Sequence, residues 1–268
     1  MQNKLKHLRK ILSEMGSVLI AYSGGTDSSF LVKVAQEELG DKVLTVTALS
    51  KIYPIVEFEQ AQKIIKGLGI RNITVSSEEL LKEEFIFNPK GRCYICKKEL
   101  FYKLKKIAQE NNINYIADGS NHDDLKEYRP GRRALRELKI RSPLQEAHLS
   151  KNDIRILSKE MGLSNWDKPS DSCLVTRIPY GEKITAEKLK NIEEAEKFIH
   201  NLGAKQVRVR CHNKLARIEV EEKDINLLSM EDSRKKIIDK FKELGFIHIT
   251  LDLQGYKTGS MDMEKDEK

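Results

Sequence analysis

The stretch SVLIAYSGGTDSSFLVKVAQEELG, residues 17–40, decides the fold. SVLIAYS (17–23) is an apolar run of buried-strand length. SSFLVKVAQEELG (28–40) has helical periodicity and stops at Gly40. Between them Ser23, Gly24 and Gly25 let the chain turn tightly and expose backbone N–H groups, and the helix that follows aims its N-terminus at the same spot. That combination makes a cradle for a phosphate-type anion. Asp27 and Ser28 add a carboxylate and a hydroxyl suited to magnesium. A plain Gly-rich turn would explain the glycine pair alone; it does not explain the whole SGGxDS between an apolar strand and a helix. The GxxxxGK[ST] pattern of a Walker A loop is absent.

Outward from this stretch the pattern alternates. KVLTVTAL (42–49), NITVS (72–76) and YIADGS (115–120) read as strands, and residues 4–14, PIVEFEQAQKIIKGLG (54–69) and YICKKELFYKLKKIAQENN (94–112) as helices. Strands alternating with helices imply right-handed crossovers and an α/β fold: a mainly parallel sheet with helices on both faces. Ligands of such sheets bind beyond the carboxyl ends of the strands, here Ser23, Thr47, Ser76 and Gly119. Thr47 and Gly119 therefore join the loop as candidate nucleotide contacts. From about residue 183 the character changes. TAEKLKNIEEAEKFIHNLG (185–203) and SRKKIIDKFKELG (233–245) are helices, QVRVRC (206–211) and LARIEV (215–220) alternate like a half-buried hairpin, and IHITLD (247–252) is a strand. The expected division is 1–170 and 171–268, the second part being a small α+β domain entered through the Pro-, Ser- and Gly-rich stretch 164–183.

With 268 residues, 39% hydrophobic and 33% charged, the chain reads as globular and too apolar to be disordered. No run of about 18 apolar residues is present, so no membrane span is expected. The charged N-terminus lacks a secretory apolar region, which points to the cytoplasm. The net charge of +7 favours phosphorylated or nucleotide partners over cationic ones, although a solvated lysine-rich surface accounts for much of it. Aromatic residues are 6%, and no RNA-binding module is recognisable, which argues against nucleic acid. In a reducing compartment the pair Cys93 and Cys96, at CxxC spacing, reads as metal-binding or catalytic. One pair is too few ligands to close a metal site.

SGGxDS in this position resembles the PP-loop ATP pyrophosphatases, which bind ATP on this loop, split it between the α and β phosphates and adenylate an acceptor oxygen. GRCYICKKELF, DGSNHDDLKEYRPGRRAL, RSPL, WDKPSDSCLVTRIPYG, AEKFIHNLG, VRVRCHNKLARIEV and GYKTGSM then follow in order. This series resembles the LarE family over nearly the whole chain. The resemblance implies an ATP-dependent sulfur transferase acting on a nucleotide-like substrate, pyridinium-3,5-biscarboxylate mononucleotide, for nickel-pincer cofactor synthesis. It implies ATP and Mg2+, and it makes other enzymes of that pathway and further copies of the chain candidate partners. Some members sacrifice one cysteine, matched here by Cys173; others carry three cysteines thought to hold a [4Fe-4S] cluster. Cys93, Cys96 and Cys173 together resemble the second type. Two competing readings are a zinc site completed by a histidine such as His122, His148 or His212, and a sacrificial Cys173 with the CxxC pair incidental. Cys211, on an alternating strand, reads as a small semi-buried residue.

Arg208 and Arg210 share one strand face by period two, match the family's RVR segment, and are the candidate substrate-phosphate ligands. Arg177, four residues past Cys173, is the next candidate, and Lys97, directly after Cys96, is placed to neutralise charge on ATP or an acyl-adenylate. Arg129, Arg132 and Arg133 form another basic turn, while Glu196 and Asp224 read as solvated carboxylates on lysine-rich segments with a weaker claim to metal or substrate. The other functional classes are tRNA thiolation, an amide-forming synthetase, and a non-catalytic nucleotide-binding module; salt-sensitive tRNA binding would mark the first, and ATP turnover would exclude the last.

Overall fold

The computed structural model describes residues 1–126, 130–169, 172–257 and 259–261. In chain order the helices and strands are α1 (Gln2–Met15), β1 (Val18–Ala21), α2 (Thr26–Leu39), β2 (Val43–Leu49), α3 (Ile55–Gly67), β3 (Asn72–Ser76), α4 (Glu83–Ile86), α5 (Arg92–Glu110), β4 (Tyr115–Ala117), α6 (Gly131–Glu137), α7 (Pro143–Glu146), α8 (Lys151–Glu160), α9 (Ala186–Asn201), β5 (Val207–His212), β6 (Leu215–Val220), α10 (Ile225–Ser229), α11 (Glu231–Glu243) and β7 (His248–Leu251). Two compact units result: Met1–Glu79 with Lys90–Asp171, and Leu80–Pro89 with Ser172–Lys268. The excursion of Leu80–Pro89 into the second unit differs from the sequence-based division. Its helix α4 has four residues, too few to show a period.

In the first unit the sheet order is β3-β2-β1-β4, and every pairing is parallel. The buried β1 side chains alternate between two cores, as period two requires. Val18 and Ile20 join Leu8, Leu12, Phe30, Leu31, Val34 and Leu157 on one face. Leu19 joins Leu44, Val46, Phe101, Leu104 and Ile116 on the other. Each such buried side chain contributes about 1.5–3 kcal/mol relative to exposure. Beyond β4 a single parallel bridge, Ala117 to Arg141, extends the sheet: Arg141 N–H donates to Ile116 O and Asp118 N–H to Arg141 O, both at 2.9 Å.

In the second unit β5 and β6 form the expected antiparallel pair, with Arg208 opposite Glu219 and Arg210 opposite Arg217; β7 adds parallel to β6. Helix α9 packs on β5, burying Leu189, Ile192, Ala195 and Ile199. The hairpin is not half-buried as its alternation suggests: residues 207–211 are all buried. The chain after β7 covers the arginine face, laying Tyr256 near Arg208 and Ser260 on Arg210. Among the described residues no helix is long and apolar enough to cross a membrane.

Candidate active site

The loop after β1 is tied down before any ligand is considered. Tyr22 N–H donates to Val46 O at 2.9 Å, which locks the loop's entry to β2. The Ser28 hydroxyl lies 3.0 Å from Ser23 Oγ, accepts Ser23 N–H at 3.3 Å and faces Gly25 O at 3.1 Å. Gly24 sits at φ +75, and a Cβ there would lie 2.5 Å from Ala61 Cβ on α3. Gly25, the N-cap of α2, is different: a Cβ there would meet only Ser23 Oγ, at 3.4 Å. The helix start is therefore uncrowded at Gly25, and a helix N-terminus is where phosphate binds.

Two asparagines that sequence reasoning missed complete the loop. Asn165 is 7% exposed and its side-chain amide donates to Gly24 O at 3.0 Å and Ser29 Oγ at 2.9 Å, while its backbone carbonyl accepts from Thr26 Oγ1 at 2.7 Å. Asn121 donates to Asp27 Oδ2 at 2.9 Å and uses its side-chain oxygen to accept Asp123 N–H at 2.9 Å, so the Asp27 carboxylate is held in one orientation. The only sequence signal for Asn121 was its place in DGSNHDD, directly after a strand; Asn165 lay in what read as a linker. Gly119 packs onto the loop: a Cβ there would lie 3.1 Å from Ser28 Cα and N. Thr47 is not brought into the cradle by its side chain. It lies inside β2, and its hydroxyl donates to Asn72 Oδ1 at 3.0 Å. Ser76 closes β3, where its carbonyl accepts Lys103 Nζ at 2.9 Å.

Helix α5 begins at Arg92, two residues before the expected start, which places both thiols of the CxxC pair in its first turns. Cys93 is exposed and Cys96 half-buried. The Cys96 Sγ lies 3.5 Å from Oε1 of Glu79. Glu79 is 3% exposed and accepts hydroxyl hydrogen bonds from Ser50 at 2.8 Å and Ser77 at 2.7 Å. At the next residue, Lys97 Nζ is 3.6 Å from Asp118 Oδ2 at the carboxyl end of β4. Arg132 donates to Leu125 O, and Arg133 pairs with Glu137 on α6; Arg129 lies outside the described residues. His122 and His148 meet edge to face with centroids 5.2 Å apart.

In the second unit Cys173 is half-buried and starts the turn Leu174–Arg177. Arg177 is 2% exposed and organises that turn. One edge of its guanidinium makes a two-point pair with Glu196, both contacts at 2.9 Å; the other donates to Ser172 O at 2.7 Å and Cys173 O at 3.1 Å. Glu196 is thus buried, not solvated, and also accepts Val209 N–H at 2.9 Å. Arg208 and Arg210 do share a face, but a buried one. Arg210 pairs with Glu219 at 2.7 Å, and its Nε is buried without a hydrogen-bond partner; Arg208 lies over the Tyr256 ring. Arg217 also pairs with Glu219, at 3.1 Å, so two guanidiniums share this one carboxylate, and Arg217 also faces Asp252 at 3.7 Å. Asp224 keeps one buried carboxylate oxygen without a partner. Burial pushes the Cys211 thiol above its ordinary pKa, which keeps it protonated and unsuited to ligation. No described cysteine is in a disulfide, and among the described residues no three His, Cys, Asp or Glu side chains gather as a metal-binding group.

Comparison with known proteins places this geometry. The NAD synthase family matches residues 1–90, the segment holding β1, the loop and α2. An uncharacterized protein of Synechocystis is 41% identical across 98% of both chains. An uncharacterized protein of Methanocaldococcus jannaschii is 34% identical over 95% of this chain and 96% of its own. The pyridinium-3,5-bisthiocarboxylic acid mononucleotide synthase of Lactiplantibacillus plantarum is 36% identical over 94% of this chain and 91% of its own length. With the parallel sheet, the glycine loop at its carboxyl edge and this end-to-end match, the chain belongs to the LarE family of PP-loop proteins.

Proposed function

We propose that this protein is an ATP-dependent sulfur transferase. It adenylates a carboxylate of pyridinium-3,5-biscarboxylate mononucleotide and converts it to a thiocarboxylate for nickel-pincer cofactor synthesis. The observation that carries the reading is the near full-length match to a synthase named for the bisthiocarboxylic product. A carboxylate oxygen of the substrate attacks the α-phosphorus of ATP and pyrophosphate leaves. A sulfur nucleophile then attacks the acyl carbon and AMP leaves. The loop at Ser23, Gly24, Gly25, Asp27 and Ser28, backed by Gly119, binds the phosphates through backbone N–H groups and the α2 N-terminus. Asp27 and Ser28 offer the oxygen donors magnesium takes, and magnesium neutralises the triphosphate when bound. Lys97 faces the developing charge. The buried Arg210 Nε, without a hydrogen-bond partner, suits Arg210 to a substrate phosphate, with Arg208 beside it on the same strand face. Arg177 acts by shaping the Cys173 turn.

The thiols fit an iron–sulfur group by donor type: Cys93, Cys96 and Cys173 retain solvent access, whereas Cys211 is buried. These three would hold it, and a [4Fe-4S] cluster there would supply sulfide for the transfer. A second reading takes Cys173, half-buried at the start of its turn, as the sulfur donor. There its Sγ attacks the acyl-adenylate and AMP leaves. Loss of the Cys173 α-proton with cleavage of the Cβ–S bond then frees the thiocarboxylate and leaves dehydroalanine at position 173. In either case the expected partners are the substrate, other enzymes of the pathway and further copies of this chain.

The test incubates anaerobically purified protein with ATP, Mg2+, sulfide and the biscarboxylate mononucleotide. Acceptor-dependent AMP and pyrophosphate, with oxygen replaced by sulfur in the acceptor, is the expected result; no AMP with this acceptor overturns it. Iron analysis of wild type, Cys93→Ala and Cys173→Ala separates the two sulfur sources. About four irons per chain, lost in both variants, supports the cluster; a wild-type protein that loses one sulfur at residue 173 during turnover supports the sacrificial donor.

A further inference from the structure

Asp118, Gly131 and Ser142, from the segments ADGS (117–120), RPG (129–131) and RSPL (141–144), have no role in the chemistry so far; Asp118 and Gly131 lie against Lys97, and Ser142 holds Asp118. Asp118, 6% exposed, follows β4 and directly precedes the glycine that packs on Ser28. Its carboxylate accepts the Ser120 hydroxyl at 2.5 Å and the Ser142 hydroxyl at 2.6 Å, and it stands 3.6 Å from the Lys97 ammonium. Ser142 reaches Asp118 because the Ala117–Arg141 bridge carries the RSPL segment alongside β4. On the other side, Gly131 opens α6 where the Lys97 stem passes. A Cβ there would lie 2.7 Å from Lys97 Cδ. The lysine is therefore guided at two points: its stem runs through the room that Gly131 leaves, and its head faces a buried carboxylate.

The head contact is the informative one. At 3.6 Å it exceeds the usual hydrogen-bond range of about 2.7–3.2 Å, while the serine hydroxyls take the close positions on Asp118. The ammonium is aimed but not consumed, and it keeps about a third of its exposure, at 35%. We propose that Asp118, Ser142 and Gly131 are positioning residues that hold the Lys97 ammonium beside the loop, ready to pass to an anion that arrives there. A fixed cation meets developing charge without reorganising first, whereas a freely rotating lysine would have to be ordered during the reaction. The effect belongs in kcat more than in KM. The proposal rests on the sulfur-transferase reading only for the anion's identity, a phosphate or acyl phosphate; the clamp on Lys97 is independent of it.

The experiment uses the full chain with ATP, Mg2+ and the biscarboxylate mononucleotide, and compares Asp118→Asn, Ser142→Ala, Gly131→Ala, Lys97→Ala and the double variant Asp118→Asn/Lys97→Ala. Asp118→Asn should lower kcat for AMP formation about 10- to 100-fold while KM for ATP moves less than about threefold. Gly131→Ala is the sharper probe: alanine suits a helix, and the closest atoms it meets are on a flexible stem, with Cys93 O at 3.3 Å beside them, so the melting temperature should fall by only a few degrees while kcat drops about tenfold. The double variant should be no slower than Lys97→Ala alone, because residues acting as a unit are not additive. A second readout needs no turnover. Acylation of Lys97 by an amine-reactive ester, followed by peptide mass spectrometry, should quicken at least about threefold in Asp118→Asn, Ser142→Ala and Gly131→Ala. Additive losses in the double variant, full turnover in Gly131→Ala, or unchanged labelling overturns the proposal. If the wild type makes no AMP from this acceptor, the functional reading fails and the labelling alone decides the clamp.

Discussion

At the scale of single residues, the glycine pair of the loop has two distinct jobs. Gly24 is excluded from any side chain twice over: its φ is +75, and its missing Cβ leaves room for Ala61. Gly24→Ala should cost about 1–3 kcal/mol of stability and abolish ATP binding by displacing the loop, readable by thermal melting and calorimetric titration. Gly25 has neither restriction. Gly25→Ala should leave the melt within about 0.5 kcal/mol and weaken only phosphate approach; a fold as damaged as in Gly24→Ala would refute the distinction. Arg177 and Glu196 make a second residue-scale case. Both are buried, so removing one strands the other's charge. Arg177→Met alone should cost about 3–5 kcal/mol, and the double variant with Glu196→Leu should be more stable than that single variant, by denaturant titration. The sequence showed Arg177 as a charge near a cysteine. It could not show that a helix nine residues beyond would bury a carboxylate against it, because ion-pair partners across loops leave no periodic trace.

At the scale of elements, helix α8 shows what local pattern does and does not reveal. Ser150 accepts Asp153 N–H and Asp153 accepts Ser150 N–H, both at 3.1 Å, a reciprocal cap, and Lys4 of α1 reaches the same carboxylate at 2.7 Å. Burial opposes ionisation of Asp153, but Lys4 and Ser150 outweigh it and hold its pKa at about 2, below the ordinary 3.8. A folded value below the unfolded one means stabilisation that is complete above about pH 4 and is lost as pH falls toward about 2. Asp153→Asn should therefore flatten the acid limb of stability in that window, and Ser150→Ala should cost about 1 kcal/mol at neutral pH, both by urea titration. Strands β1 to β4 were readable from their apolar runs, and α2, α5 and α9 from their period, because burial repeats along each element. The arginine face of β5 was misjudged for the complementary reason. Alternation assigns two faces, and only the chain after β7, far off in sequence, decides that the polar one is covered.

For the whole molecule, the least legible feature is the membership of its units. The second unit borrows Leu80–Pro89 from between β3 and α5. That borrowed segment is structural there. Phe85 is 1% exposed and Asn88 fully buried. Asn88 sits at φ +51, donates to Ile178 O at 3.0 Å and Pro179 O at 2.7 Å, and accepts Gly181 N–H at 3.1 Å through its backbone, while Ile86 O accepts Ile184 N–H at 2.7 Å. A ten-residue insertion with one short helix carries no composition signal, so any cut drawn along the sequence leaves it on the wrong side. The physical consequence can be tested directly. A fragment of residues 172–268 lacks Phe85 and leaves the carbonyls of Ile178 and Pro179 without their donor, each buried group costing about 1–3 kcal/mol when unsatisfied. That fragment should show no cooperative melt, whereas the same fragment joined by a Gly-Ser linker to residues 80–89 should melt cooperatively, and Asn88→Ala in the joined form should lower the transition markedly. A cooperative melt from 172–268 alone, matching the joined form, would show that the borrowed segment only decorates a unit that already folds.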